Sequence, residues 1–282
     1  AEISMFRHVT RVYASFRDMG MPELATKPIP AIVNLRMPQG FQPLDPAKLS
    51  NPDLPLQPVN NAFFSPPNPI FSQVFGLQGA AMWFFQGTSS DFGYDGDVIY
   101  HEFGHAMVDR TIGLIGEWHV DAQGATAAPG GMNEGLADYF SSAITGDGDV
   151  GEYASKDLGG GTAIRTLDNS DTCLRNISGE VHSDSTFFSG ALWAVRKSLP
   201  ADQQKAYDTA LMGGLLSTTV GDVGYEDVAA LFIASLKKSS IPAAADALTA
   251  EFAKRGQAPV CKRIYEWDGK PLAGADKNLA NT

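Results

Sequence analysis

Asp97-Val98-Ile99-Tyr100-His101-Glu102-Phe103-Gly104-His105-Ala106-Met107-Val108-Asp109 is the stretch on which the reading of this chain turns. It reads as a helix, and on a helix positions i and i+4 are neighbours on one face. His101 and His105 therefore point at a common spot, where both imidazoles can bind one divalent metal ion. Glu102 follows the first histidine, close enough to act as a base on water at that spot. A surface helix with two solvated histidines carries the same five-residue pattern, so the rest of the chain has to supply more.

A zinc ion that catalyses needs a third protein ligand and an open position. In one zinc-helix pattern that ligand is a histidine six residues after the second. Here Thr111 stands there, and Val108 replaces the glycine of the turn, which excludes that arrangement. Asn133-Glu134-Gly135-Leu136-Ala137-Asp138-Tyr139-Phe140 offers a glutamate instead. Pro129-Gly130-Gly131 marks a turn before it, so Glu134 is expected in the first turn of the next helix. Asp138 lies one turn further on the same face. It is placed to accept a hydrogen bond from the free ring nitrogen of a ligating histidine. Taken without the histidines, Glu134 and Asp138 also read as a solvated helix face.

With these segments the chain resembles the thermolysin and fungalysin group of zinc metallopeptidases. The resemblance is carried, in order, by Asn60-Asn61-Ala62-Phe63-Phe64, the His101–His105 stretch, Thr111-Ile112-Gly113-Leu114-Ile115 and Asn133–Asp138. Ala163-Ile164-Arg165-Thr166-Leu167-Asp168-Asn169 and Gly179-Glu180-Val181-His182-Ser183-Asp184-Ser185 extend it. It implies zinc held by His101, His105 and Glu134, with Glu102 as general base and His182 as donor to the transition-state oxyanion. It further implies that Asn61 and Ala62 clamp the substrate main chain at a sheet edge, and that Arg165 touches a substrate carbonyl and lines the side-chain pocket. On the residues alone, Asn61 also reads as a turn residue and Arg165 as half of a surface salt bridge.

The chain departs from the family in several places. Gly116 replaces the tyrosine after the Leu114-Ile115 pair, so the oxyanion falls to His182 or to Trp118 or His119 of an insertion, which otherwise read as solvent-facing. Ile177 replaces the aspartate that orients the oxyanion histidine, leaving Glu180, Asp184 or a backbone carbonyl for that task. A calcium site is implied by Asp97 with Asp147, Asp149 and Glu152, although Thr145 stands where the family has another carboxylate. The alternative is an acidic solvated loop, with Asp97 stabilising a helix N-terminus. The family's β-rich segment before the first helix is absent here. The resemblance thus covers a catalytic core, and an upstream propeptide or inhibitory domain is expected.

The 282 residues are 44% hydrophobic, enough for a sizeable core. A net charge of −11 argues against nucleic-acid binding, which wants a basic patch. No apolar run approaches the roughly 18 residues that span a membrane. Cys173 and Cys261 read as one disulfide in an oxidising compartment or as two buried thiols. The expected fold is α+β and zincin-type. A sheet-containing lobe over 1–115 carries the zinc helix, and a mainly helical lobe over 116–282 carries the third ligand. Helices are expected near 3–18, 133–145, 186–198, 202–216, 224–238 and 242–255, and strands near 31–37, 60–64 and 80–86. Loops are expected over 38–69 and 116–132. The function expected is that of a secreted, monomeric zinc endopeptidase acting on protein or peptide substrates, with the family's preference for a bulky apolar residue after the scissile bond. The alternatives are a zinc aminopeptidase and a non-catalytic module stabilised by zinc. Glu102 argues against the module, since a structural site needs no base.

Overall fold

The computed structural model describes residues 1–21, 28–158, 161–219, 221–259 and 261. Helix α1 (Glu2–Asp18) buries Met5, Val12 and Phe16 along one stripe and leaves Ile3 and Phe6 exposed. Strand β1 (Ala31–Leu35) follows, with Asn34 at φ 56°, a left-handed conformation that asparagine tolerates. The pairing register of β1 shifts between Ile32 and Leu35, so this residue sits in a bulge.

Residues 38–69 are more structured than their Pro- and Asn-rich sequence suggests. They contribute β2 (Met37–Pro38), α2 (Pro46–Leu49), β3 (Leu56–Gln57) and β4 (Ala62–Ser65) before α3 (Pro69–Phe75). Both short helices carry a proline at the start and a side-chain cap. Asp45 accepts from the Ala47 amide, and Asn68 from the Ile70 amide.

Strand β5 (Ala81–Phe85) completes a three-stranded sheet in the order β1-β5-β4, parallel to β1 and antiparallel to β4. Every β5 residue is buried. Its side chains alternate: Met82 and Phe84 enter the main core, while Ala81, Trp83 and Phe85 join a smaller cluster with Met37, Leu49 and Phe71 on the other face. Covered faces on both sides explain the unbroken apolar run of this strand.

Helix α4 (Gly96–Arg110) carries the two histidines and is buried from Val98 to Val108. A helix apolar all round belongs between layers, and α4 packs against α1 and β4 on one side and α5 (Ala128–Thr145) on the other. Between α4 and α5, where an irregular segment is expected, β6 (His119–Asp121) and β7 (Gly124–Thr126) form a hairpin. The short pair β8 (Asp149–Val150) and β9 (Arg165–Thr166) follows α5. Helices α6 (Val181–Ser198), α7 (Ala201–Leu215), α8 (Tyr225–Lys237) and α9 (Ala244–Lys254) complete the described part. Small sheets with predominant helix make the fold α+β, as expected.

Two helix starts differ from the sequence reading. Helix α5 begins at Ala128, so Pro129-Gly130-Gly131 lies inside its first turn and Glu134 in its second. The glycines serve packing: a Cβ on Gly130 would come within 2.7 Å of Val181 Cγ1. Helix α6 begins at Val181 instead of 186, capped by Glu180, and so includes His182. Cys173 and Cys261 form a disulfide, and both are buried. Residues 262–282 of the expected second lobe lie outside the described residues. No described helix is long and apolar enough to cross a membrane.

Candidate metal centre

Asp95 starts the helix that presents the histidines. Its Oδ1 accepts from the Asp97 and Val98 amides and its Oδ2 from the Ala154 amide, fixing the α4 N-terminus to the segment after β8. Gly104 lies between the two histidines where α4 crosses α5. A Cβ there would stand 2.9 Å from Ala137 Cα, closer than backbone tolerates, so only glycine lets the helices approach this far.

The close crossing brings His101, His105 and Glu134 together, all three buried. His101 Nε2 lies 3.0 Å from His105 Nε2 and 3.3 Å from Glu134 Oε2, and His105 Nε2 lies 3.6 Å from Glu134 Oε1. A tetrahedral zinc ion with bonds of about 2.0–2.1 Å sets its ligand atoms about 3.3 Å apart. The triangle matches that spacing, and the donor set of two imidazoles and a carboxylate suits zinc.

Asp138 lies one turn beyond Glu134, with Oδ1 2.8 Å from His101 Nδ1. Arg165 grips the same carboxylate with both arms of its fork, Nε to Oδ2 at 2.7 Å and Nη2 to Oδ1 at 2.8 Å. Of the two readings the sequence allowed for Arg165, the ion pair is present, though half-buried and made to Asp138. Arg165 also lines the cleft over Glu102.

The electrostatics follow from burial and these pairings. Burial alone would lower His101, but the Asp138 and Glu134 carboxylates outweigh it and hold the ring up at about 10. His105 lacks such a partner on its second nitrogen, and burial takes it down to about 4 against the pull of Glu134. Burial opposes ionisation of Glu134 and Asp138, yet both are held well below the usual carboxylate range, Glu134 by His105 and His101, Asp138 by Arg165 and His101. Glu102 is pushed up to about 7, chiefly by burial, with the positive side of His101 and the Phe64 amide opposing. Glu102 Oε2 is buried without a hydrogen-bond partner among the described residues.

A cleft of about 90 Å³ opens over this group, lined by Asn61, Ala62, His101, Glu102, Arg165 and His182 and floored by apolar residues that include Phe92, Val98 and Ile164. Ala62 begins β4, the edge strand of the sheet. His182 is half-exposed in the first turn of α6, its Nε2 3.5 Å from Glu134 Oε2. Of the three candidates for orienting it, Glu180 is in contact with the ring: its Oε1 lies 2.6 Å from His182 Nδ1 and also accepts from the His182 amide. Glu180 is held down at about 2, where burial is outweighed by His182 and by the amides of the helix start. Asp184 instead closes the preceding loop by accepting from the Ser178 and Gly179 amides.

Other expected residues are not brought to the cleft. Trp118 is exposed, and His119 pairs with Asp222 away from the lining residues. No three of Asp97, Asp147, Asp149 and Glu152 offer ligand atoms within 4.8 Å of one another. Asp97 and Glu152 shift one another, and the Asp149 amide donates to Asp147 Oδ1. Burial pushes Asp97 up to about 8, with Glu152 adding to the effect.

No protein-family model and no curated protein matches the chain. Among solved structures, the fold is similar to that of the precursor of protealysin, a metalloproteinase from Serratia proteamaculans. The TM-score is 0.53 at 16% sequence identity, and the match covers 62% of this chain and 62% of that chain. The likeness is one of fold.

Proposed function

We propose that this chain is a zinc-dependent metallopeptidase that hydrolyses peptide bonds within protein substrates. The observation that carries the reading is the buried triangle of His101, His105 and Glu134 with Glu102 beside it, at the edges already given. Zinc held there would lower the pKa of water and polarise a carbonyl.

The chain's own residues supply the rest. Glu102, buried at the lining of the cleft with Oε2 unpartnered among the described residues, takes the proton from the attacking water and returns it to the leaving amine. Asp138, braced by Arg165, lies 2.8 Å from His101 Nδ1 and would leave the Nε2 side of the ring to hold the ion. His182, held through Nδ1 by Glu180, turns its Nε2 side toward the cleft as the donor for the developing oxyanion. Asn61 and Ala62 receive the substrate main chain beside β4, and the apolar floor of Phe92, Val98 and Ile164 receives a side chain. The reading divides the chain near residue 115, after the helix of the two histidines. The disulfide fits export to an oxidising compartment.

The test pairs metal content with turnover. One zinc per centre, chelator-sensitive digestion of casein and cleavage of end-blocked peptides are expected. Glu102→Gln should keep the zinc and lose at least about a thousandfold in kcat. Cleavage of unblocked peptides alone would make the protein an aminopeptidase, and zinc binding with no turnover in the wild type would make it a binding module.

A further inference from the structure

Outside that centre, one other group of side chains among the described residues offers metal-ligating atoms within 4.8 Å of one another: His119, Asp121 and Glu226. His119 and Asp121 alternate on β6 and so share a face of the hairpin. Glu226 comes from the first turn of α8. All three are half-buried.

The group repeats the logic of the first centre. There a carboxylate occupies His101 Nδ1 and leaves Nε2 for the ion. Here Asp222 Oδ1 lies 2.9 Å from His119 Nδ1, and Nε2 faces Asp121 Oδ2 at 4.0 Å. A carboxylate on the far ring nitrogen is the usual companion of a metal-bound histidine, because it fixes the tautomer and the ring plane. Gly224 keeps room for the meeting: a Cβ there would stand 3.0 Å from Glu226 Oε2 and 3.2 Å from His119 Cδ2. Asp121 and Glu226 supply two carboxylates, whose charge would balance that of a divalent cation.

We propose that His119 Nε2, Asp121 and Glu226 hold a second divalent transition-metal ion of the zinc type, with Asp222 as the positioning residue. One imidazole and two carboxylates suit such an ion. Calcium wants six to eight oxygens, more than this group offers. The ion would clasp the β6–β7 hairpin to α8, just ahead of the helix that carries Glu134. The inference does not depend on the proposed peptidase activity.

Metal content of the zinc-loaded and dialysed full chain tests it, for wild type, His119→Ala, Glu226→Gln, His101→Ala and the double variant with His101 and His119 both replaced. Two ions are expected in the wild type, one in each single variant and none in the double. Thermal unfolding gives a second readout: zinc should raise the Tm of His101→Ala and leave that of the double variant unchanged. The shape-conserving change Glu226→Gln serves if His119→Ala fails to fold. A single wild-type ion that His119→Ala removes and His101→Ala retains would support this site and sink the first. Two ions in both His119→Ala and Glu226→Gln, or one wild-type ion that only His101→Ala removes, would overturn it.

Discussion

Asp138 serves two masters, an imidazole on one side and a guanidinium on the other. Replacing it with asparagine keeps the shape but removes the charge that holds His101 and Arg165. Zinc affinity should fall about 10- to 100-fold, read by chelator competition. Unchanged affinity would show that the contact is packing and not orientation. Asp97 gives a prediction in pH. Its folded value near 8 stands above the ordinary 3.8, so it stabilises the fold at low pH and loses that contribution as pH rises through 8. Glu152 is lowered, so its contribution is lost only as pH falls below its ordinary range. Between these limits Asp97 acts together with Glu102, whose raised value near 7 gives the same sign up to that pH. Metal-free protein should lose stability from about pH 5 to 8, by up to about 1.4 kcal/mol per pH unit. Urea midpoints across that range would show it, and Asp97→Asn should flatten the slope.

At the scale of the elements, the crossing of α4 and α5 is the part most exposed to change. Gly104→Ala places a methyl against the backbone of Ala137, which cannot turn aside as a side chain can. A cost of about 1–3 kcal/mol is expected, together with weaker zinc binding as Glu134 retreats from the histidines. A variant as stable as the parent, with zinc affinity intact, would show that α5 has slack. The same elements show what could be read in advance. The spacing of His101, His105, Glu134 and Asp138 is local to two helices, so periodicity alone places each set on one face. The helix starts were harder, because Gly130 and Gly131 look like a turn when their partners Val181 and Tyr225 are unknown. Helices α2 and α3 are too short for a period, although Asp45, Asn68 and the prolines after them were visible signals. The grouping of His119 and Asp121 could have been suspected from alternation on a strand. Glu226 could not, since only the tertiary fold brings α8 to the hairpin.

Over the whole molecule, Cys173 and Cys261 close a long loop that encloses α6 to α9, and the Cys173 amide also donates to the Arg255 carbonyl at the end of α9. With the partners 88 positions apart in sequence, the cross-link should contribute about 2–4 kcal/mol. Reductant should lower the Tm by several degrees; an unaltered Tm would show that the helices hold this region unaided. The three-stranded sheet has a different consequence. Its border at β4 runs beside Glu102, the base of the proposed reaction, next to Asn61 and Ala62. A guest that docks there has to arrive stretched out, as one more ribbon of the sheet. Compact neighbours, whose backbones are already committed to their own partners, would pass untouched. Vulnerability to this protein would then track how readily a stretch of chain comes loose from its own domain, ahead of which residues it contains.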